Sequence, residues 1–167
     1  MKKYNLIICR VLICSSCSWI GAGTLGSFKE YYFVISEQNF NKELLKFYKQ
    51  NSIYSIPEKY IYLDNWDEGG YGFLKGKILY FKNEPEEMYF VSYYELDKEN
   101  TVKQGHKSIN FSVRAVNDCK SSRWDTEQDY DKDKKEQERI EKRFYDEIIV
   151  KLEKQLHTKA IEDNSWF

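Results

Sequence analysis

From Glu37 to Gln50 the apolar positions Phe40, Leu44, Phe47 and Tyr48 recur at the three- and four-residue spacing of one helical face. The spacing predicts a helix there. Ser36 stands just before it as an N-cap, since its hydroxyl can accept from an otherwise unpartnered backbone N–H of the first turn. Asn51-Ser52 ends the pattern. A longer amphipathic stretch runs from Asp129 to about His157, with Ile140, Phe144, Ile148, Leu152 and Leu156 at fourfold spacing and Ile149 alongside. Glu138 before Lys142 and Glu147 before Lys151 add support across one turn. The stripe is too short for sustained heptads, so this helix is expected to lie on a sheet.

The strand signals lie between and before these helices. Tyr31 to Ile35 is an aromatic run of strand type, and Pro57 fixes an extended or turning segment before the short run Tyr60 to Leu63. Lys77 to Lys82, Met88 to Glu95 and Ser108 to Val116 read as an antiparallel meander, the first pair joined by a turn at Asn83-Glu84-Pro85-Glu86. In the last strand Ile109, Phe111, Val113 and Ala115 point one way and Asn110, Ser112 and Arg114 the other. Leu63 to Phe73, with Gly69, Gly70 and Gly72, is a loop. The fold class that follows is α+β. A meander of three strands plus one or two further strands forms an antiparallel sheet, and two helices pack on one face in a two-layer sandwich. Residues 30–160 are the expected domain and 161–167 a C-terminal tail.

The first residues follow a different logic. Lys2 and Lys3 precede Leu6-Ile7-Ile8-Cys9 and Val11-Leu12-Ile13-Cys14, an apolar segment of signal-peptide length and short of the roughly 20 residues that span a bilayer. Ser15 and Ser16 then precede Cys17, in the manner of a lipobox: an aliphatic run, small residues, and a thiol that can be alkylated by a diacylglycerol carrier. Residues 1–16 are thus expected to be a signal peptide and Cys17 the lipidated first residue of the mature chain. Arg10 inside the apolar run and Cys14, where leucine is usual, depart from the pattern. The competing reading makes Asn5 to Ser15 a buried strand of a cytosolic protein. Residues 17–29, with Gly21, Gly23 and Gly26, read as a flexible tether. "GAGTLG" also spells a dinucleotide fingerprint, but no strand and crossover helix bracket it, so no cofactor is expected.

Composition narrows the function classes. The 167 residues suit one domain, and their 26 basic and 27 acidic side chains nearly balance. Loss of Lys2, Lys3 and Arg10 with the leader makes the remainder acidic, which argues against a nucleic-acid partner. Of the four cysteines, Cys9, Cys14 and Cys17 crowd the start and Cys119 stands apart, so there is neither a disulfide framework nor a zinc motif.

Candidate chemistry is sparse. Asp129, Asp131 and Asp133 have calcium-loop spacing, but Lys134 and Ile140 occupy the places of the required glycine and glutamate. These carboxylates are expected to serve a helix N-terminus, and no metal site is expected. Asp64, Asp67 and Glu68 could host the acid/base pair of an envelope hydrolase acting on glycan or peptide, given a partner across a cleft. His106 and His157 have no serine or cysteine elbow beside them, and no catalytic residue is assigned. Cys119, beside Lys120, reads as a lone half-buried thiol. The most suggestive surface places Tyr89, Val91 and Tyr93 next to Asn110, Ser112 and Arg114 opposite the helices, with Trp66 and Trp124 in adjoining loops. Tyrosine, tryptophan and arginine favour protein interfaces.

With its lipobox-like "SSC", its tether "WIGAGTLGSF" and its meander "GKILYFKNEPEEMYFVSYY", the sequence resembles small uncharacterised lipoproteins of Bacteroidota. The resemblance implies a cell-envelope protein anchored to the membrane through Cys17, and it supplies no catalytic residue. Surface-exported members often carry acidic residues soon after the cysteine. "SWIGAG" carries none, which favours an outer-membrane protein facing the periplasm. The expected function is non-enzymatic binding of a protein partner, as an accessory or immunity-type domain.

Overall fold

The computed structural model describes residues 25–96 and 106–162, apart from the side chain of Glu68. Tyr31, Tyr32 and Phe33 form β1 (Tyr31–Phe33), short and wholly buried. Ser36 then caps α1 (Glu37–Gln50) by accepting from the N–H of Asn39. Asn51 closes that helix, donating from its side chain to the carbonyl of Phe47 at 2.9 Å. Phe40, Leu44 and Phe47 are the buried face, as their spacing predicts.

The chain next passes through two tight turns, Ser52–Tyr54 and Glu58–Leu63, and a wide turn at Asp67–Tyr71. Gly70 there takes φ +87°, a left-handed conformation that a β-carbon resists. The meander follows as β2 (Lys75–Phe81), β3 (Glu87–Glu95) and β4 (Ile109–Asn117). After it come β5 (Asp125–Thr126), α2 (Lys134–Phe144), α3 (Val150–Leu156) and β6 (Ile161–Glu162). The six-stranded sheet runs β2-β3-β4-β1-β6 with β5 beside β4, and each pairing is antiparallel. The α+β class and the meander stand as expected.

The last helical region begins later than its charge pattern suggests, because Asp129 is used in a turn. Its carboxylate accepts from the N–H and hydroxyl of Thr126, and Asp133 is the N-cap of α2, accepting from the N–H of Glu136. A wide turn at Tyr145–Ile149 joins α2 to α3. Its cause lies in the stripe. Steps of four residues carry a side chain about 40° round an α-helix each time, and one widened turn takes up that drift. Ile140, Phe144, Ile148, Ile149 and Leu152 are therefore all buried on the same side.

That side holds the main core, in which α1, α2 and α3 meet the sheet through Phe33, Phe40, Phe111 and Phe144. Phe40 and Phe111 meet edge-on with ring centroids 5.4 Å apart. Two expected boundaries move. Phe28, assigned to the tether, is only 2 % exposed and donates its N–H to the carbonyl of Val113 at 3.1 Å. Ile161 and Glu162, assigned to the tail, pair with Tyr32 and Tyr31. Among the described residues no helix is long and apolar enough to cross a membrane.

Register corrects the expected placement of the tyrosines. In β3 and β4, Tyr93 lies opposite Phe111 and Val91 opposite Val113, and opposite residues of an antiparallel pair share a face. Tyr89, Val91 and Tyr93 therefore turn toward the helices. Ser92, opposite Ser112, and Tyr94, opposite Asn110, take their place beside the polar row. The alternation in β4 also breaks. Phe90 pairs with Ala115 and Val91 with Val113, so Arg114 is the extra residue of a β-bulge and Ala115 crosses to the face away from the helices.

Candidate binding cleft

The sheet face away from the helices is half apolar and half polar. On the apolar half Ile78, Tyr80, Met88, Phe90 and Ala115 are covered by Leu63, Tyr60, Trp66 and Trp124. Trp66 lies flat on Phe90, and Trp124 meets Trp66 edge-on with centroids 5.2 Å apart. Both indole N–H groups are buried without a partner among the described residues. The polar half carries Ser92, Asn110, Ser112 and Arg114, all buried. Arg114 Nε donates to Ser92 Oγ at 2.7 Å, and Ser112 Oγ donates to Asn110 Oδ1 at 3.3 Å.

A cleft opens at the boundary between the halves. One lobe, about 420 Å³, has Arg114 in its wall with Leu25, Tyr71, Phe73, Leu74 and Tyr94, and Glu37 with Lys75 at one side. A second lobe of about 310 Å³ is lined by Trp66, Trp124, Asn65 and Thr126. Leu25 and Tyr71 stand in the walls of both lobes. Together they have the size and the apolar lining of a site for a drug-sized ligand or a few peptide residues.

The charges around the cleft are unequally matched. Lys75 Nζ is ion-paired with a Glu37 oxygen, and that contact raises the lysine pKa. Arg114 has no carboxylate within 4.0 Å among the described residues; its guanidinium lies 5.8 Å from the centre of the Tyr94 ring. Burial raises the phenol pKa of Tyr94, with Glu30 adding to the effect, so near neutral pH the ring presents a neutral hydroxyl. The arrangement can hold an apolar or aromatic group against the rings and an anion against the guanidinium.

Of the residues singled out in the sequence, Arg114, Trp66 and Trp124 come together here. Tyr93 also stands in the wall of the larger lobe, although its hydroxyl donates to Asn41 Oδ1 at 3.0 Å on the helix side. Tyr89 does not reach the cleft: it donates its hydroxyl to Glu87 Oε2 at 3.0 Å. Cys17 lies outside the described residues. Asp64 and Asp67 are exposed and do not line either lobe. His106 is exposed, and His157 ends α3 in a left-handed conformation. Among the described residues no group of His, Cys, Asp and Glu is arranged to hold a metal ion. No protein family, curated protein or solved structure matches this chain.

Tyr71, Phe73, Tyr94 and Leu25 were not singled out in the sequence. Tyr71 and Phe73 flank Gly72 in the glycine-aromatic loop, which was a signal for a surface of this kind. Tyr94 required the strand phase, and Leu25 lay in a stretch that reads as linker.

Proposed function

We propose that the chain is a lipid-anchored binding domain of a bacterial cell envelope, attached through Cys17 and engaging a protein partner in the two-lobed cleft. The observation that carries the reading is the cleft itself, where Arg114, Trp66, Trp124, Tyr71 and Tyr94 surround open space. Aromatic rings and arginine give large contact area at small entropic cost, which is why they anchor protein interfaces. The anchor fits this geometry. From Cys17 to Leu25 the extended chain spans at most about 28 Å, so lipidation would hold the cleft close to the bilayer. A triacylated cysteine anchors firmly where a single chain would not.

Two experiments test the two halves of the reading. Intact mass and detergent partitioning of the protein expressed in a bacterial host, beside Cys17→Ser, should give an acylated chain lacking residues 1–16, and a full-length soluble chain in the variant's place. An unmodified wild-type chain refutes the anchor. A photo-crosslinking phenylalanine analogue at Tyr71 or Phe73 in the native host should trap a discrete protein, whereas the same analogue at exposed Lys132 should not. Equal labelling at all three positions, or none, refutes the partner site.

A further inference from the structure

Resting on the reading of the cleft as a binding site, we infer that Arg114 is its recognition residue and that it selects a carboxylate carried beside an apolar side chain. The bulge is the first support. As the residue with no opposite number between Val113 and Ala115, Arg114 is re-aimed by its local backbone into the wall of the larger lobe. It is only 9 % exposed.

The second support is the missing counter-charge. Arg123, Arg139 and Arg143 each hold at least one carboxylate within 4.0 Å. Arg114, buried as deeply as Arg143, holds none among the described residues. Its contacts are neutral: Ser92 Oγ at 2.7 Å from Nε, the carbonyl of Leu25 at 3.4 Å from Nη1, and the face of Tyr94. The bond to Ser92 fixes the Nε edge of the guanidinium. Nη1 gives one N–H to the Leu25 carbonyl and the Tyr94 oxygen also draws on the guanidinium, but with five N–H donors in a planar fork the group has N–H groups left for a further acceptor, and a carboxylate matches that fork.

The surroundings decide the class of anion. Leu25, Tyr71, Phe73 and Leu74 make the walls apolar, and the one other cation of the lobe among the described residues, Lys75, is taken by Glu37. A single fork among rings suits a singly charged carboxylate with an apolar neighbour. A phosphate, with its greater charge, calls for several donors. In a protein partner the group is either the C-terminal carboxylate or an acidic side chain beside an aromatic or aliphatic residue.

Titration of the acylated protein in detergent with short peptides, read by indole fluorescence and by the Arg114 Nε–H resonance, tests this. The peptides are acetyl-Ala-Ala-Phe as free acid, the same peptide as amide, and acetyl-Ala-Glu-Phe-Ala amide. A carboxylate peptide should bind roughly tenfold or more tightly than the amide, as a charge-assisted bond to a buried group implies. Preference for the free acid identifies a chain terminus, and preference for the glutamyl peptide an acidic side chain. Arg114→Gln should abolish the discrimination while leaving weak binding of the amide, and Arg114→Lys should restore part of it. Equal binding of acid and amide, discrimination that survives in Arg114→Gln, or no binding by any peptide overturns the inference. Crosslinking from Tyr71 or Phe73 that still traps a protein would then leave the cleft reading standing, whereas carboxylate selectivity without a trapped protein would overturn the protein-partner reading alone.

Discussion

The indole of Trp66 lies on the ring of Phe90 with centroids 3.9 Å apart and planes within 8° of parallel. Phe90 is held on another side too, because a β-carbon at Gly76 would meet its Cε2 and Cζ at 2.5 and 2.6 Å and the Val91 carbonyl oxygen at 3.0 Å. The ring cannot yield without leaving the stack. Gly76→Ala should therefore destabilise the domain by about 1 to 3 kcal/mol through overpacking. Trp66→Ala, which removes the half-buried cover instead, should cost about 2 to 4 kcal/mol. Urea unfolding midpoints check both, and the double variant should be less destabilised than the two single costs added, since it frees Phe90 to move. Strict additivity would show that the stack does not hold Phe90 in place.

Glu87 is the most heavily bonded carboxylate on the helix side. It is 4 % exposed, accepts from Tyr89, Arg139 and Arg143, and has Arg143 Nη1 at 3.0 Å and Arg139 Nη1 at 3.1 Å from Oε2. Arg143 also donates to the carbonyls of Pro85 and Asn83, which ties the β2–β3 turn to α2. Glu87→Leu leaves two guanidinium groups facing a buried void in the charge pattern. A loss of about 3 to 5 kcal/mol is expected by thermal or urea unfolding. A change below about 1 kcal/mol would mean that water reaches the arginines and replaces the carboxylate.

The elements of the fold were legible where one physical signal dominated. α1 is written in Ser36 and the spacing of Phe40, Leu44 and Phe47, and the meander in apolar runs separated by turn residues. The faces were less legible. Every residue of β4 is buried, so polarity could not say which side of the sheet a residue occupies. The bulge at Arg114 adds one residue that no alternation pattern announces. The cleft was half legible for the same reason: Arg114, Trp66 and Trp124 are conspicuous types, whereas Tyr94 becomes a wall residue only through a register set by pairing with β4. β5 and β6 are two residues each, too short to show a period, and β6 pairs with β1 at the other end of the domain.

Cys119 should be an unreactive thiol. It is half-buried against the apolar half of the sheet, and burial, with the Glu86 carboxylate adding to it, pushes its pKa up to about 11. At pH 8 such a thiol is about one part in a thousand thiolate, the form that attacks. Alkylation by iodoacetamide, followed on the peptide that carries Cys119, should be roughly 100-fold or more slower than for free cysteine. The rate should still be rising with pH at pH 10. A plateau near pH 8.5 would mean that the thiol is solvated.

Glu127 supplies a pH dependence of the opposite sign to the usual surface carboxylate. Burial, and then the nearby Glu141, raise its pKa above the ordinary value of 4.5, and Gln137 bridges the two carboxylates at 3.4 and 3.1 Å. A raised carboxylate pKa means that the folded chain binds the proton more tightly than the unfolded one. Its charged form therefore opposes folding at neutral pH, and the opposition fades as pH falls through the folded pKa to below the unfolded value. Glu127→Gln retains an acceptor for Gln137 and removes the charge. The variant should unfold at higher urea than wild type at pH 7.5, and the two midpoints should converge by about pH 4. A gap that widens toward pH 4 would show that the Glu127 charge stabilises the fold through contacts with cations such as Lys134.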